Sequence, residues 1–545
     1  MPRLEPLHLV WFKRDLRLAD HAPLVAASRH APVIGLYVYE PDITADPEFS
    51  AAHLEFINQS LLELEANLAE RGGRLVYRVG EATAVLSRLH EDYGVAAMYA
   101  HEETGNAVTF ARDERVRRWA RARGIPFHEF QNGAVLRGRA NTNVRGEAWR
   151  DGWYETVQKP VLPPPRRLIS APVPPERHRT PWELGLTPTR KELPVAGEQA
   201  ARETLNSFLT RRGITYARDV SSPARSWATS SHLGPYLAWG NLSSRQVYKA
   251  LRQQERTIRA RPAGSPRDTH WLRSLAMFQN RLRWREHFLQ GFERDGSVEF
   301  QPLNRSFEGL RDEFSQERFD AFRAGQTGYP MVDACMRALR AGGWLNFRMR
   351  AMLVSFAVYH LWLEWRPVGR FLAREWLDLE PGIHWPQMQM QAGVTSVHTL
   401  RLYSPAKQAR DHDPDGAFIR CWVPELEAVP TYFLAEPHKL PPLTQVMLGC
   451  VIWKGYPRPI VDHKIAVAEA RAKLAVVLAR PETERERERI MLERGYLSDA
   501  QPNGAQLNTL RLNNVQSNSV RLDDVQAQPV EQAPERELER PPKAA

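Results

Sequence analysis

Two serines, Ser230 and Ser231, stand directly ahead of helix-forming sequence in ATSSHLGPYLAWGNLSSR. Hydroxyls at such a boundary can donate to an anion, or simply cap the helix. Further along, Asn280, Arg281 and Arg285 fall about one turn apart in FQNRLRWREHF, so one helix could turn all three towards a common cavity. His384 offers an imidazole able to exchange a proton near neutral pH, unless it is a satisfied core residue. Met388 and Met390, two apart in HWPQMQMQAGVTS, are polarisable packing residues that can shape a wall. The cysteines Cys335, Cys421 and Cys450 lie far apart and form no CxxC. They exclude a disulfide scaffold and a four-cysteine cluster, and they fit a reducing cytoplasm. No metal site is read from the chain.

Groups this dispersed need a large scaffold to bring them together. The 545 residues exceed what one hydrophobic core organises, so two domains with extensions are expected. The chain carries 74 Lys and Arg against 64 Asp and Glu, a net charge of +10. That balance suits a polyanion such as nucleic acid, although a solvated arginine-rich surface gives the same number. The N-terminus has no long apolar run, so no signal peptide is expected. The longest apolar stretch, Ala351 to Trp365, is broken by His360 and Glu364 and falls short of a bilayer span. A soluble cytoplasmic protein, monomeric and without a membrane partner, is the expectation.

Strand-like runs Leu7–Phe12, Val33–Tyr39, Arg74–Val79, Ala96–Tyr99 and Pro126–Phe130 alternate with helical patterns, including His53–Arg71, Ala82–Tyr93 and Val108–Arg123. Such alternation predicts an α/β domain with a Rossmann-like parallel sheet over residues 1–135. FKRDLRL replaces a GxGxxG after the first strand, so a dinucleotide held there in the Rossmann manner is not expected. Residues 136–200 are rich in proline and read as an extended linker. Residues 201–482 are helical in period, with Ser243–Gln254, Thr269–Gln290, Pro330–Arg340 and Trp344–Leu363 as clear segments. Residues 483–545 open on a charged helix candidate, ETERERERIMLER. They continue as a polar tail holding the repeat LRLNNVQ/VRLDDVQ, expected to be disordered or to fold on a protein partner.

In their order and spacing, LVWFKRDLRLADHAPL, TGYPMVDACMRALRAGGWLNFRMR, LEWRPVG, SPAKQARDHDPDGAFIRCWVPEL and YPRPIVDHK resemble the photolyase/cryptochrome family. The likeness covers nearly everything but the tail. It implies an all-α domain that binds FAD, joined by the linker to the α/β domain. It further implies that Ser230, Ser231 and Leu233 form the phosphate turn, that Tyr216 contacts FAD, and that Arg285 of the WRE run touches the flavin, with Asn280 and Arg281 nearby. Arg350 is expected to pair with Asp378 beside the ring, and Glu380 to contact ring or ribose. An Arg–carboxylate pair there would offset an anionic reduced flavin.

The likeness has gaps. Arg281 stands where the family has a dimer-contacting glutamate, and His384 where an asparagine faces flavin N5. Met388 and Met390 replace a WxW of the lesion cleft. Phe347, Asn346 and Ala351 replace an asparagine, a histidine and a methionine. Trp365 matches the middle of a tryptophan electron chain, and Trp385 is a candidate inner member. The outer position falls on Asp312, near Phe314, with Trp362 and Trp376 as alternatives. Val108-Thr109 replaces a folate-contacting pair, so a second, antenna chromophore has no assigned identity. The expected activity is light-driven repair of pyrimidine dimers in DNA, with Arg348, Met388, Met390 and Arg401 facing the nucleic acid. A blue-light photoreceptor acting through flavin photoreduction and the tail is the alternative.

Overall fold

Five short apolar runs form one parallel sheet in the computed structural model, which describes residues 7–30, 32–138, 146–262 and 265–493. The strands are β1 (Leu7–Phe12), β2 (Val33–Tyr39), β3 (Leu75–Val79), β4 (Val95–His101) and β5 (Phe127–Phe130), in the order β3-β2-β1-β4-β5. Between them run α1 (Ala22–Ala27), α2 (Ala51–Ala69), α3 (Ala82–Tyr93) and α4 (Ala107–Ala122). Alternate side chains of each strand go to opposite faces. Leu9, Trp11, Ile34 and Val76 pack with Leu86 and Leu89 of α3 and Val116 of α4. Val10, Phe12 and Tyr77 share a core with Leu61 of α2 and with Phe208, Trp239 and Phe278 of the helical half. One face of the sheet is therefore covered by the second half of the chain, and the described residues form one compact unit.

Polar contacts fix that junction. Asp20 accepts from the Ser243 hydroxyl at 2.6 Å and from Arg245 at 2.7 Å, and Asn241 donates to the Leu16 carbonyl at 3.0 Å. Arg14, just past β1, stacks over Trp239 at 4.3 Å and donates to the carbonyls of Ala238 and Leu379.

The helical half is built on α5 (Pro266–Arg294), α6 (Phe347–Ser355), α7 (Trp365–Glu375) and α8 (Pro381–Ala392). Ser265 caps α5, Asn346 caps α6, and Pro381 opens α8. The single helix predicted over Trp344–Leu363 is instead interrupted. Asn346 delays its start, Phe356–His360 widens into a π turn, and Trp362 sits at φ 53°, which ends the ladder. The predicted linker also contains a helix, Gly146–Gln158. That stretch has no proline, and Trp149, Trp153 and Val157 recur every four residues to bury one face. At the far end Pro481–Glu493 is helical, with Thr483, Ile490 and Met491 buried, so the opening of the expected tail packs on the domain. The LRLNNVQ/VRLDDVQ repeat lies outside the described residues. Among those described, no helix is long and apolar enough to cross a membrane.

Candidate functional site

Three helices present stripes at i, i+3, i+4 and i+7 to a single cavity of about 940 Å³. From α5 come Arg281, Trp284, Arg285 and Phe288, and from α6 come Phe347, Arg350, Ala351 and Val354. His384, Gln387, Met388 and Gln391 line it from α8.

Its inner end is charged and internally paired. Arg350 grips Asp378 with two parallel bonds of 2.9 Å and lies 4.3 Å over the Trp376 ring. Arg285 binds Glu380, the residue capping α8, through both Nε (2.7 Å) and Nη2. Guanidinium forks hold carboxylates in fixed planes, so both pairs are geometrically defined. Asp378 also presses on the serine turn: a Cβ at Gly234 would lie 2.4 Å from its Oδ2.

In that turn Ser230 and Ser231 line the cavity, and Arg212 ties down both of their carbonyls. His232 follows at φ 54°, and Leu233 returns to right-handed helical angles. Left-handed and right-handed residues in succession make a nest of converging N–H groups suited to phosphate. His232 is held in this conformation by its own ring, which bonds the Trp227 carbonyl at 2.7 Å. The Leu233 side chain is buried in the apolar core shared with the sheet, so its contribution to the turn is its backbone.

His384 lies on the cavity wall and donates from Nε2 to the Gly369 carbonyl at 2.9 Å. Burial, helped by Arg350, pulls its pKa down to about 4 against the smaller opposing effect of that hydrogen bond. A pKa so lowered leaves the ring neutral at pH 7. Trp385 adjoins it at 5.1 Å between ring centres and meets Trp365 edge to face at 5.7 Å. Both indoles lie behind the cavity wall, in the core. The Trp385 N–H donates to Glu48 at 2.9 Å, and burial together with Glu299 and Asp46 pushes that carboxyl up to about 8. Near Asp312, the expected outer position, Phe314 is partly exposed and packs on Phe319.

The mouth is aromatic and basic. Arg281 lies 5.8 Å from the Trp284 ring and 5.3 Å from Phe347, both half-exposed. It also lies near the Tyr216 hydroxyl, whose pKa burial raises against the pull of that cation. Met388, Met390 and Arg401 complete the wall. Besides Leu233, Trp365 and Trp385, two more predicted residues stay outside it. Asn280 is exposed and accepts from Arg283 at 3.4 Å; five residues from Arg285, it is turned well off the helix face that Arg281 shares. Arg348 points away from the stripe of α6 and stacks on Tyr403 at 5.9 Å. Sequence reasoning missed His232, Trp284, Trp344, Gln387 and Gln391 as lining residues. Helical spacing from Arg281 and His384 would have found Trp284, Gln387 and Gln391, whereas His232 is revealed only by its backbone angle.

A second cleft of about 90 Å³ opens at the carboxyl ends of β1, β2 and β4, beside the point between β1 and β4 where the strand order reverses. Val108 and Thr109 line it, but so does buried Arg112, bound to Glu40 (2.5 Å), Glu103 (2.5 Å) and Asp113 (2.8 Å). It is much smaller than the first cavity, and its buried arginine is already ion-paired.

The large cavity fits FAD: a phosphate nest, two fixed Arg–carboxylate pairs and ample volume lie together. Residues 8–147 match the DNA photolyase family model, and residues 278–476 match that of the FAD binding domain of DNA photolyase. A deoxyribodipyrimidine photo-lyase of Agrobacterium fabrum is 29% identical, over 86% of this chain and 98% of its own length. A cryptochrome DASH of Gloeobacter violaceus is 28% identical, over 83% and 93% respectively. The crystal structure of a bacterial class III photolyase from Agrobacterium tumefaciens superposes with a TM-score of 0.75 at 26% identity, covering 88% of this chain and 99% of that one. The chain belongs to the photolyase/cryptochrome family. Its cofactor is FAD.

Proposed function

We propose that this protein is a light-dependent lyase that splits pyrimidine dimers in DNA. The observation that carries the reading is a single cavity with an internally neutralised inner end and an open, cationic, aromatic mouth. Six arginines line it against two carboxylates, and both carboxylates are already bound to Arg350 and Arg285. When bound, reduced and excited by blue light, FAD would lend the dimer an electron that returns to the flavin once the dimer has split. The protein's own groups do the rest. Trp284 and Phe347 offer faces on which extruded bases stack. Arg281 is a permanent cation that stabilises a negatively charged dimer, although it cannot hand over a proton as a carboxylic acid would. Met388 and Met390 keep water from the wall, and Arg401 meets phosphate.

The FAD-loaded, reduced protein under blue light should restore a cyclobutane-dimer oligonucleotide or a (6-4)-containing duplex, and should do neither in the dark. Photoreduction of the flavin with no repair of either lesion would defeat the lyase reading and leave the photoreceptor one, which the cryptochrome-named relative at nearly the same identity keeps in play.

A further inference from the structure

The middle of α8 carries three glutamines whose circumstances differ. Gln389 faces the protein interior and is fully paired: its Oε1 accepts from the Leu303 N–H at 2.6 Å, and its Nε2 donates to the carbonyls of Val298 (2.7 Å) and Gln301 (2.8 Å). Gln387 and Gln391 lie on the other side, among the residues lining the cavity. Gln391 is only 2% exposed, yet neither its Oε1 nor its Nε2 has a hydrogen-bond partner. The Oε1 of Gln387 is likewise buried and unpartnered. A buried amide without partners is destabilising, and native proteins rarely tolerate it without a use.

We propose that Gln387 and Gln391 read the amide edges of the two bases of a pyrimidine dimer. The inference rests on the lyase reading above and names the residues that select its substrate. The two side chains are one turn apart on one face, with Cβ atoms about 5–6 Å from each other, a spacing that addresses two stacked bases separately. Each carboxamide pairs an acceptor with a donor, the complement of a ring N–H beside a ring carbonyl. The terminal torsion of glutamine is broad and soft, so the amide can turn from its packed position to a base in the cavity. Turned over, the same group meets an exocyclic amine and a ring nitrogen, which admits cytosine as well as thymine. The flavin is not the target: Gln391 lies eleven residues beyond Glu380 along α8, about 16 Å of helix, and so away from the Arg–carboxylate pairs.

Gln391→Leu and Gln387→Leu keep side-chain volume and remove the amide. In the FAD-loaded full-length protein, dark binding of UV-irradiated oligothymidylate, read by fluorescence anisotropy, should weaken tenfold or more for Gln391→Leu. Binding of the undamaged strand, flavin content and melting temperature should hold, the last because an unpaired polar group has been removed. A dimer built from N3-methylthymine should bind the wild type as poorly as the normal dimer binds the variant, and should bind the variant no worse. Equal lesion affinity in wild type and both variants overturns the assignment while leaving the lyase reading intact. A wild type that does not prefer irradiated to undamaged strand overturns the lyase reading, and the assignment with it. A variant that loses flavin or melts early shows a structural role and also overturns it.

Discussion

Asp378→Ala is expected to strip the protein of flavin. Arg350 and Asp378 are joined by two 2.9 Å bonds, with side chains one quarter and one seventh exposed, and Arg350 is flattened on Trp376 by that grip. Removing the carboxylate leaves a largely desolvated guanidinium with no acid, which costs about 2–5 kcal/mol at comparable pairs. The same change takes away the side chain that packs on Gly234 at the phosphate turn, so ring and pyrophosphate contacts loosen together. FAD affinity should fall by roughly 30-fold or more, since each 1.4 kcal/mol is about a factor of ten. Flavin absorbance retained through gel filtration, followed by titration of the apoprotein with FAD, measures this. Asp378→Asn, which keeps one acceptor, should fall between the two.

Gly240→Ala should produce the largest loss of stability. Gly240 sits at φ 76°, in the turn where the helical half meets the sheet, and an added Cβ would stand 2.2 Å from the Arg14 carbonyl oxygen and 2.4 Å from the Asp15 Cα. These are backbone atoms, so no side chain can swing aside. Left-handed strain adds about 1–3 kcal/mol and the overpacking a similar amount, for a total of roughly 2–6 kcal/mol. That is a large share of the about 5–15 kcal/mol that stabilises a typical domain. The urea midpoint should drop with little change in slope. Displacing Arg14 also disturbs its bonds to Ala238 and Leu379, the latter adjoining both flavin-side acids, so flavin content should fall as well.

The parallel sheet was legible because its strands are short apolar runs set off by helices of a different period, and β1, β2 and α3 match their expected limits to the residue. The Gly146–Gln158 helix was hidden by prolines on its flanks, and the π turn before Trp362 has no periodic signal at all. At the site, Ser230, Ser231, Arg281, Arg285, Arg350, Asp378, Glu380, His384, Met388, Met390, Arg401 and Tyr216 do line one cavity, most of them placed by the family resemblance and Arg281 by helical spacing. Asn280 failed that geometry by one residue, and Leu233 turns its side chain into the core. The neutrality of His384 was not legible, since it depends on burial and on the Gly369 carbonyl, both set by tertiary packing.

If the cavity takes flavin at its inner end and a dimer at its mouth, the two must touch. Fluorescence of the bound reduced flavin, measured with and without lesion-bearing DNA, tests that contact. UV-irradiated oligothymidylate should shorten the emission lifetime through electron transfer to the dimer, and the undamaged strand should leave it unchanged. Saturating binding of the irradiated strand with an unaltered lifetime would contradict the account.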